Sequence, residues 1–201
     1  MTNRREFLQI GIAAGAWPLA SRAARATGAA TAHGVPLYKV VYDSRFEDSV
    51  AFARRARDLG LPAHEIQGDI TSFWYHELDR RWRGGERPGA PVAIAGLTAH
   101  GAFFCLERLA WDQRMRAVFR GEHVPTADGT LEHRLSGPLA MLEAALPLDA
   151  SREDWSARMA EVVAQCPRGR TEIKSARVTA PAARPSCAET LYSWVIAPAR
   201  A

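Results

Sequence analysis

The chain predicts an α/β fold, a three-layer sandwich on a mostly parallel sheet with an antiparallel hairpin at one edge. Two observations predict it. Strand-like and helix-like patterns alternate through the first half of the chain, which favours parallel strands joined by helical crossovers. Farther along, two strand-like stretches flank Thr126-Ala127-Asp128-Gly129, whose Asp-Gly pair is typical of a hairpin turn.

The first half yields three strands and three helices. Strands are predicted at 37–42, 63–67 and 91–95, where short apolar or β-branched runs are bounded by turn residues. The first helix opens at Asp43-Ser44 and stops at Gly60. Gly96-Leu97-Thr98 is expected to turn into a third helix that runs to about 112. The apolar stripes of the first two helices consist of Phe46, Val50, Ala53 and Ala56, then Trp74, Leu78 and Trp82.

The second half supplies the hairpin and the end of the sheet. Strands are predicted at 114–123 and 131–135, a short helix near 138–145 and a closing strand at 191–196. Ser151-Arg152-Glu153-Asp154 looks like a capping box that opens a last helix, with Trp155 on its apolar face. The complete order of elements is similar to a flavodoxin-like or Rossmann-like fold.

The N-terminal segment carries an export pattern. Arg4 and Arg5 precede Phe7 and Leu8, and an apolar stretch follows from 10 to 20. This arrangement resembles the twin-arginine (Tat) export signal of bacteria. An ordinary amphipathic helix is the alternative.

The resemblance implies that the chain is cleaved and released into the periplasm. A small-x-small site ends at Ala26, and an earlier one ends at Ala23. The apolar stretch is shorter than the roughly 20 residues that span a bilayer, and no lipoprotein cysteine follows, so no stable membrane anchor is expected. Residues 1–26 would be the signal and 27–201 one α/β domain. The Tat translocase would be a partner, and because this route carries folded proteins, an exported redox enzyme could be another.

Charge argues against nucleic-acid binding. The formal net charge is +4, but residues 1–26 hold four arginines against one glutamate, so the remainder is near +1. No run of basic residues follows the signal, which disfavours a nucleic-acid footprint.

Three cysteines would reach an oxidising compartment. Cys105 lies in an apolar run and is expected to be a small buried side chain. Cys166 and Cys187 bracket a stretch rich in proline, arginine and alanine, and we predict a disulfide between them, with two free thiols as the alternative.

Polar residues follow each of the first three predicted strands. In open α/β sheets, ligands bind beyond the carboxyl ends of the strands, and these residues would lie together if the first strand is central. The set consists of Asp43, Ser44, Arg45, Asp69, Thr98 and His100.

Three uses of this rim are open. Arg45, Thr98 and His100 could bind an anion together with helix N-termini. Asp43 or Asp69 could orient His100 as a general base for Ser44 or for water. In the third interpretation the aspartates and Thr98 cap helices and do nothing else. Trp74 is expected in the core, with an aromatic wall for a ligand as the alternative.

The known motifs for phosphate, dinucleotide and hydrolase sites are incomplete in this chain. His123 and His133 are predicted to face each other across the hairpin, and a surface pair without a role is favoured over a metal site. No metal is predicted, and no cofactor is assigned.

Three functional hypotheses follow. The leading one is a periplasmic protein that binds a small anionic ligand or assists an exported redox enzyme. The alternatives are a small hydrolase or transferase with a Ser/His/Asp rim, and a redox protein that binds flavin or a nucleotide, which rests on fold analogy alone.

Overall fold

A computed structural model describes residues 36–83, 92–150, 154–166, 172–181 and 189–199. Strand β1 (Leu37–Asp43) leads into helix α1 (Glu47–Asp58), and β2 (Ala63–Ile66) follows. Next comes a continuous helical segment made of α2 (Thr71–Phe73), a π-helical turn (Trp74–Leu78) and α3 (Asp79–Trp82). Strand β3 (Ala93–Ala99) and helix α4 (His100–Asp112) complete the first half.

The second half begins with the hairpin of β4 (Met115–Pro125) and β5 (Thr130–Pro138). Helix α5 (Leu139–Ala145) and a short 3-10 helix (Leu146–Ala150) follow. Helix α6 (Trp155–Ala164) precedes strands β6 (Ile173–Pro181) and β7 (Leu191–Pro198). No helix in these described ranges is long and apolar enough to cross a membrane.

The strands form one mixed sheet in the order β2-β1-β3-β7-β4-β5-β6. Strand β1 pairs in parallel with β2 and β3, as the alternating pattern predicts. Every other pairing is antiparallel, because β7 runs between β3 and β4 and the β4–β5 hairpin continues to β6. The expectation of a mostly parallel sheet was therefore wrong, since the antiparallel part is the larger one.

Two hydrophobic clusters flank the sheet. Val40 and Tyr42 of β1 join the first, with α1, α5 and α6. Val41, between them, joins the second, with α4 and the helical segment 71–82. Successive strand side chains point to opposite faces, so β1 is covered on both sides, and its apolar run Val40-Val41-Tyr42 reflects that burial.

Two boundaries and one whole strand differ from the sequence expectation. Gly96, Leu97 and Thr98 lie inside β3 because they pair with β7, and the turn comes later, at Ala99. Helix α6 begins at Trp155 with Asp154 as its N-cap, and Ser151 of the expected capping box lies outside the described residues. Strand β6 was not predicted at all.

Helix α4 is amphipathic. Ala102, Phe103, Leu106 and Ala110 face the core, whereas Cys105 is exposed, contrary to the expectation of a buried thiol. The apolar run at 102–106 wrongly suggested that Cys105 is buried, because the run includes outward-facing residues that no described element covers.

Candidate functional site

The predicted rim begins with Asp43, which is fully buried at the end of β1. Arg45 binds its carboxylate at two points, with Nε 2.9 Å from Oδ1 and Nη2 2.7 Å from Oδ2. The Arg45 guanidinium rests over Gly68, where an added Cβ would meet it at 2.7 Å and where φ is +88°. The carboxylate is thus an ion-pair partner already engaged, and no hydrogen bond in the described chain presents it to His100.

The Ser44 and Asp69 side chains form hydrogen bonds with backbone groups. The Ser44 hydroxyl donates to the Ile66 carbonyl at 3.3 Å. Asp69 Oδ1 accepts from the Thr71 backbone N–H at 2.8 Å, and hydrogen bonds from Thr71 lower the pKa of the Asp69 carboxyl. Asp69 therefore makes a turn contact two residues along the chain, but the N-cap position of α2 is Ile70, so Asp69 is not the helix cap that was expected.

Thr98 is buried, whereas His100 is exposed. Thr98 is buried within β3, and its Oγ1 accepts from Trp194 Nε1 at 3.2 Å, so it is not a helix cap at the rim. His100 is exposed at the start of α4, with its ring 5.8 Å from that of Phe104 and 5.1 Å from that of Tyr192. Among the described residues, no hydrogen bond joins His100 to Asp43 or Ser44.

Trp74 lies in the second hydrophobic cluster, as the core interpretation expected. Its ring packs edge-on against Trp82, with centroids 5.9 Å apart. The neighbouring Tyr75 points outward and is 68% exposed.

A second cluster of polar groups lies at the centre of the antiparallel half. His123 on β4 and His133 on β5 are register partners, as predicted, and their Nδ1 atoms are 2.7 Å apart. Nε2 of His123 is 2.8 Å from Oγ of Ser193 on β7. The three side chains form one hydrogen-bonded chain across three adjacent strands.

This chain is sealed from solvent, so the expectation of a surface pair was wrong. His133 and Ser193 are fully buried and His123 almost so, because Trp155 of α6 covers both rings at centroid distances of 4.4 and 5.4 Å. Burial, reinforced by His133, holds the pKa of His123 well below its usual value, and burial lowers the pKa of His133 to about 4. Both rings are therefore neutral at neutral pH.

Neutral rings leave one proton between the two Nδ1 atoms. His133 Nε2 has no hydrogen-bond partner in the described part of the chain. It is an unpaired N–H if His123 donates to His133, and an unpaired acceptor if the donor is His133. An unsatisfied buried group of this kind costs stability.

The burial of the pair could have been found from the sequence. His133 alternates with Leu131 and Leu135, and a period of two places all three on one face of β5. No such pattern pointed to Ser193, because the residue opposite it is determined by the position of β7 between β3 and β4.

The opposite face of the antiparallel half forms an open groove of about 410 Å³. We call it the arginine groove, and its polar lining comes from three neighbouring strands: Arg120 and Glu122 on β4, Arg134 and Ser136 on β5, Ser175 and Arg177 on β6. None of these residues stood out in the sequence, because alternating charged residues on strands are typical of any solvated sheet face.

Within the described ranges no cluster of three or more His, Cys, Asp or Glu side chains could hold a metal ion. Cys166 is buried, and burial raises the pKa of its thiol to about 12. Cys187 lies outside the described residues, so the Cys166–Cys187 disulfide stays a prediction.

Comparisons with protein-family models, with curated proteins and with solved structures find no match to this chain.

Proposed function

We propose that residues 27–201, exported to the periplasm by the twin-arginine route, act as a non-enzymatic accessory protein that docks onto an exported partner protein. The observation that carries this proposal is an aromatic and arginine surface on the outer side of α4. We call it the α4 outer face, and it consists of His100, Phe104, Arg108 and Trp111.

The α4 outer face exposes large aromatic rings in an ordered arrangement. Phe104 is 44% and Trp111 43% exposed. The Arg108 guanidinium lies between them, 5.2 Å from the Phe104 ring centroid and 4.3 Å from that of Trp111. Spacings of four and three residues place the three side chains on one side of the helix.

Exposed tryptophan, phenylalanine and arginine are the side chains that carry binding energy at protein interfaces. The cation–π contacts hold Arg108 over its neighbours before any partner arrives, which reduces the entropy lost on binding. A second guanidinium, that of Arg116, lies 5.7 Å from the Trp111 ring. The partner surface that fits is therefore apolar at its centre and carries carboxylates.

The placement of α4 supports a finer description of the fold, in which the two hydrophobic clusters represent two helical layers around the sheet. In the parallel part, the order β2-β1-β3 is that of the first three strands in flavodoxin-like folds. We propose a three-layer sandwich whose flavodoxin-like half carries the docking helix and whose other half is antiparallel.

A photo-crosslinking amino acid at position 104 tests the docking proposal in the bacterium that makes the protein. The full chain with its own signal is expressed, and crosslinked species are isolated from the periplasm. The matched control has the same amino acid at position 75, where Tyr75 is more exposed but lies on the π-helical turn. We expect one partner of discrete mass from position 104 alone, lost when Arg108→Glu is added.

Crosslinks of equal yield from both positions, or none from position 104, contradict docking through this helix. Export is tested separately with Arg4→Lys and Arg5→Lys together, which we expect to remove the protein from the periplasmic fraction. A periplasmic yield unchanged by that double substitution contradicts the twin-arginine assignment but leaves the docking result to stand by itself.

A further inference from the structure

The arginine groove has more cationic than anionic side chains. Arg120, Arg134 and Arg177 face two carboxylates, those of Glu122 and Glu132. Arg120–Glu122 and Arg134–Glu132 each join residues two apart on one strand, and Arg177 reaches Glu132 from β6. Sheet register places Arg134 beside Glu122 on β4 and beside Arg177 on β6. The three guanidinium groups are thus gathered by three neighbouring strands.

One carboxylate is shared by two of the arginines. Glu132 Oε1 lies 2.9 Å from Nε of Arg134 and 2.9 Å from Nε of Arg177. The Arg134 contact is the main cause of the lowered pKa of Glu132, so this carboxyl stays ionised. Each guanidinium has five N–H donors, so one shared carboxylate cannot satisfy all the donors of both arginines.

The third arginine is held in place by aromatic rings. The Arg120 guanidinium lies 5.6 Å from the Phe103 ring and 5.4 Å from the Tyr192 ring, while its Nη2 donates to Glu122 at 2.7 Å. Arg120 Nε is buried without a hydrogen-bond partner in the described ranges. The rest of the Arg120 side chain is accessible, with 41% of the side chain exposed, so a preorganised guanidinium borders the groove.

Hydroxyl groups complete the lining. Ser136 and Ser175 are register partners on β5 and β6, and Arg120 is the partner of Ser136 on β4. One row across the sheet therefore presents a guanidinium and two hydroxyls, next to a row with the two remaining arginines. All of these groups can donate hydrogen bonds to oxyanions.

We propose that the arginine groove binds a small anion with two or more negative charges, of the carboxylate or phosphate class. The forked guanidinium matches both groups in geometry. The site is distinct from the α4 outer face, although the Tyr192 ring contacts both Arg120 and His100. It gives the protein a small ligand in addition to a protein partner.

A second groove on the other side of the protein serves as a matched control. It has about 470 Å³ between α1 and α6, and it also contains three arginines, Arg54, Arg55 and Arg158. Three acids, Asp58, Asp154 and Glu161, balance them. The two grooves contain equal numbers of arginines. A difference in anion binding between them therefore indicates a specific site and not attraction to arginine alone.

The experiment is calorimetric titration of the purified protein, residues 27–201, with citrate and with inorganic phosphate at constant ionic strength. We expect saturable one-site binding of at least one anion, weaker as chloride is raised. The Arg134→Gln/Arg177→Gln variant should bind about tenfold more weakly or worse, because two charge-assisted contacts are lost. The Arg55→Gln/Arg158→Gln variant removes the same charge and should bind like the wild type.

Binding of citrate alone assigns the site to carboxylates, and binding of phosphate alone assigns it to phosphates. Absence of saturable binding of both anions to the wild type overturns the proposal, as does an equal loss in the two double variants. A third variant, Arg134→Lys/Arg177→Lys, keeps the charge, guards against misfolding and should weaken binding less than glutamine does. The titration needs no partner protein, so its outcome does not depend on the docking proposal.

Discussion

His123 and His133 meet Nδ1 to Nδ1 at 2.7 Å across the β4–β5 hairpin, fully enclosed beneath Trp155. The register of the hairpin brings the two rings together, because the two residues are direct partners on adjacent antiparallel strands. Ser193 extends it to β7, so one polar chain links three strands in the interior.

The pair should make stability depend on pH. Both histidines have lowered pKa values when folded, that of His133 being about 4, while the unfolded chain titrates near 6.5. Unfolding therefore takes up protons as the pH falls below about 6.5, and the free energy of unfolding should decrease by about 1.4 kcal/mol per pH unit for each proton. For His133 this loss continues down to about pH 4.

Urea unfolding between pH 5 and 7 measures this slope above the range in which carboxylates titrate. Burial also lowers the pKa of His64, so a His64→Gln variant is the control for that residue. We expect the slope to persist in the control. A free energy of unfolding that is flat between pH 5 and 6.5 would show that the pair does not stay neutral in the folded protein.

Ser193→Ala should destabilise the fold by about 1–3 kcal/mol, because it leaves His123 Nε2 buried without a partner. Denaturant titration measures the change. Ser136→Ala, on the partly exposed face of β5, is the matched control and should stay within about 0.5 kcal/mol of wild type. Equal effects in the two variants would argue against the polar chain as a source of stability.

The Asp43–Arg45 pair should show measurable coupling. The Asp43 carboxylate is fully buried, so Arg45→Met leaves it without its bidentate partner and should cost about 1–3 kcal/mol. In a double-mutant cycle, Asp43→Asn should relieve part of that cost, with a coupling energy of about 1 kcal/mol or more.

The exposed Glu132–Arg134 pair provides the comparison, with an expected coupling of about 0–1 kcal/mol. A coupling energy for Asp43 and Arg45 below that of the exposed pair would contradict a structural role. In that case the Asp43 carboxylate would again become a candidate for binding or catalysis at the rim.

Gly96→Ala should destabilise by about 1–3 kcal/mol, because the added methyl group would overlap the Trp194 ring and approach the Val41 carbonyl at 2.7 Å. Gly101→Ala is the control, since nothing lies within 4 Å of its Cβ position. Thermal unfolding compares the two. A melting temperature for Gly96→Ala equal to that of Gly101→Ala would show that β3 and β7 do not pack as closely as described.

Thiol labelling tests the remaining cysteine prediction. Cys105 is exposed and should react with iodoacetamide in the folded protein, whereas Cys166 is buried, with its pKa raised to about 12, and should not. After unfolding without reductant, Cys166 should still resist labelling if it is bonded to Cys187. Labelling of both residues at that stage would contradict the disulfide.

The sequence predicted the parts of the fold that depend on local pattern. The run of apolar residues at β1, the spacing of Trp74 and Leu78, and the Asp128-Gly129 turn each reflect a local preference of the chain. The facing histidines were predicted for the same reason, because a hairpin with a short turn determines which residues are opposite each other.

Such local patterns do not predict which distant segments pair with each other. Strand β6 has only small apolar side chains on its core-facing side, Ala176, Val178 and Ala180, and it pairs along its whole length with β5. Strand β7 was recognised, but nothing local indicates that it enters between β3 and β4. The predicted place of Thr98 in a turn was wrong for the same reason, since its pairing with Tyr192 keeps β3 extended to Ala99, four residues beyond the predicted end at 95.

By itself, then, the sequence determined the alternation of strands and helices, the hairpin and the export pattern at Arg4 and Arg5, because these depend on residues close together in the chain. Only the tertiary structure decided that Ser193 joins the two histidines, that the Asp43 carboxylate is buried and that three arginines share one groove. These features bring together strands that are far apart in the chain, and the register of those strands is set by the packing of the whole sheet.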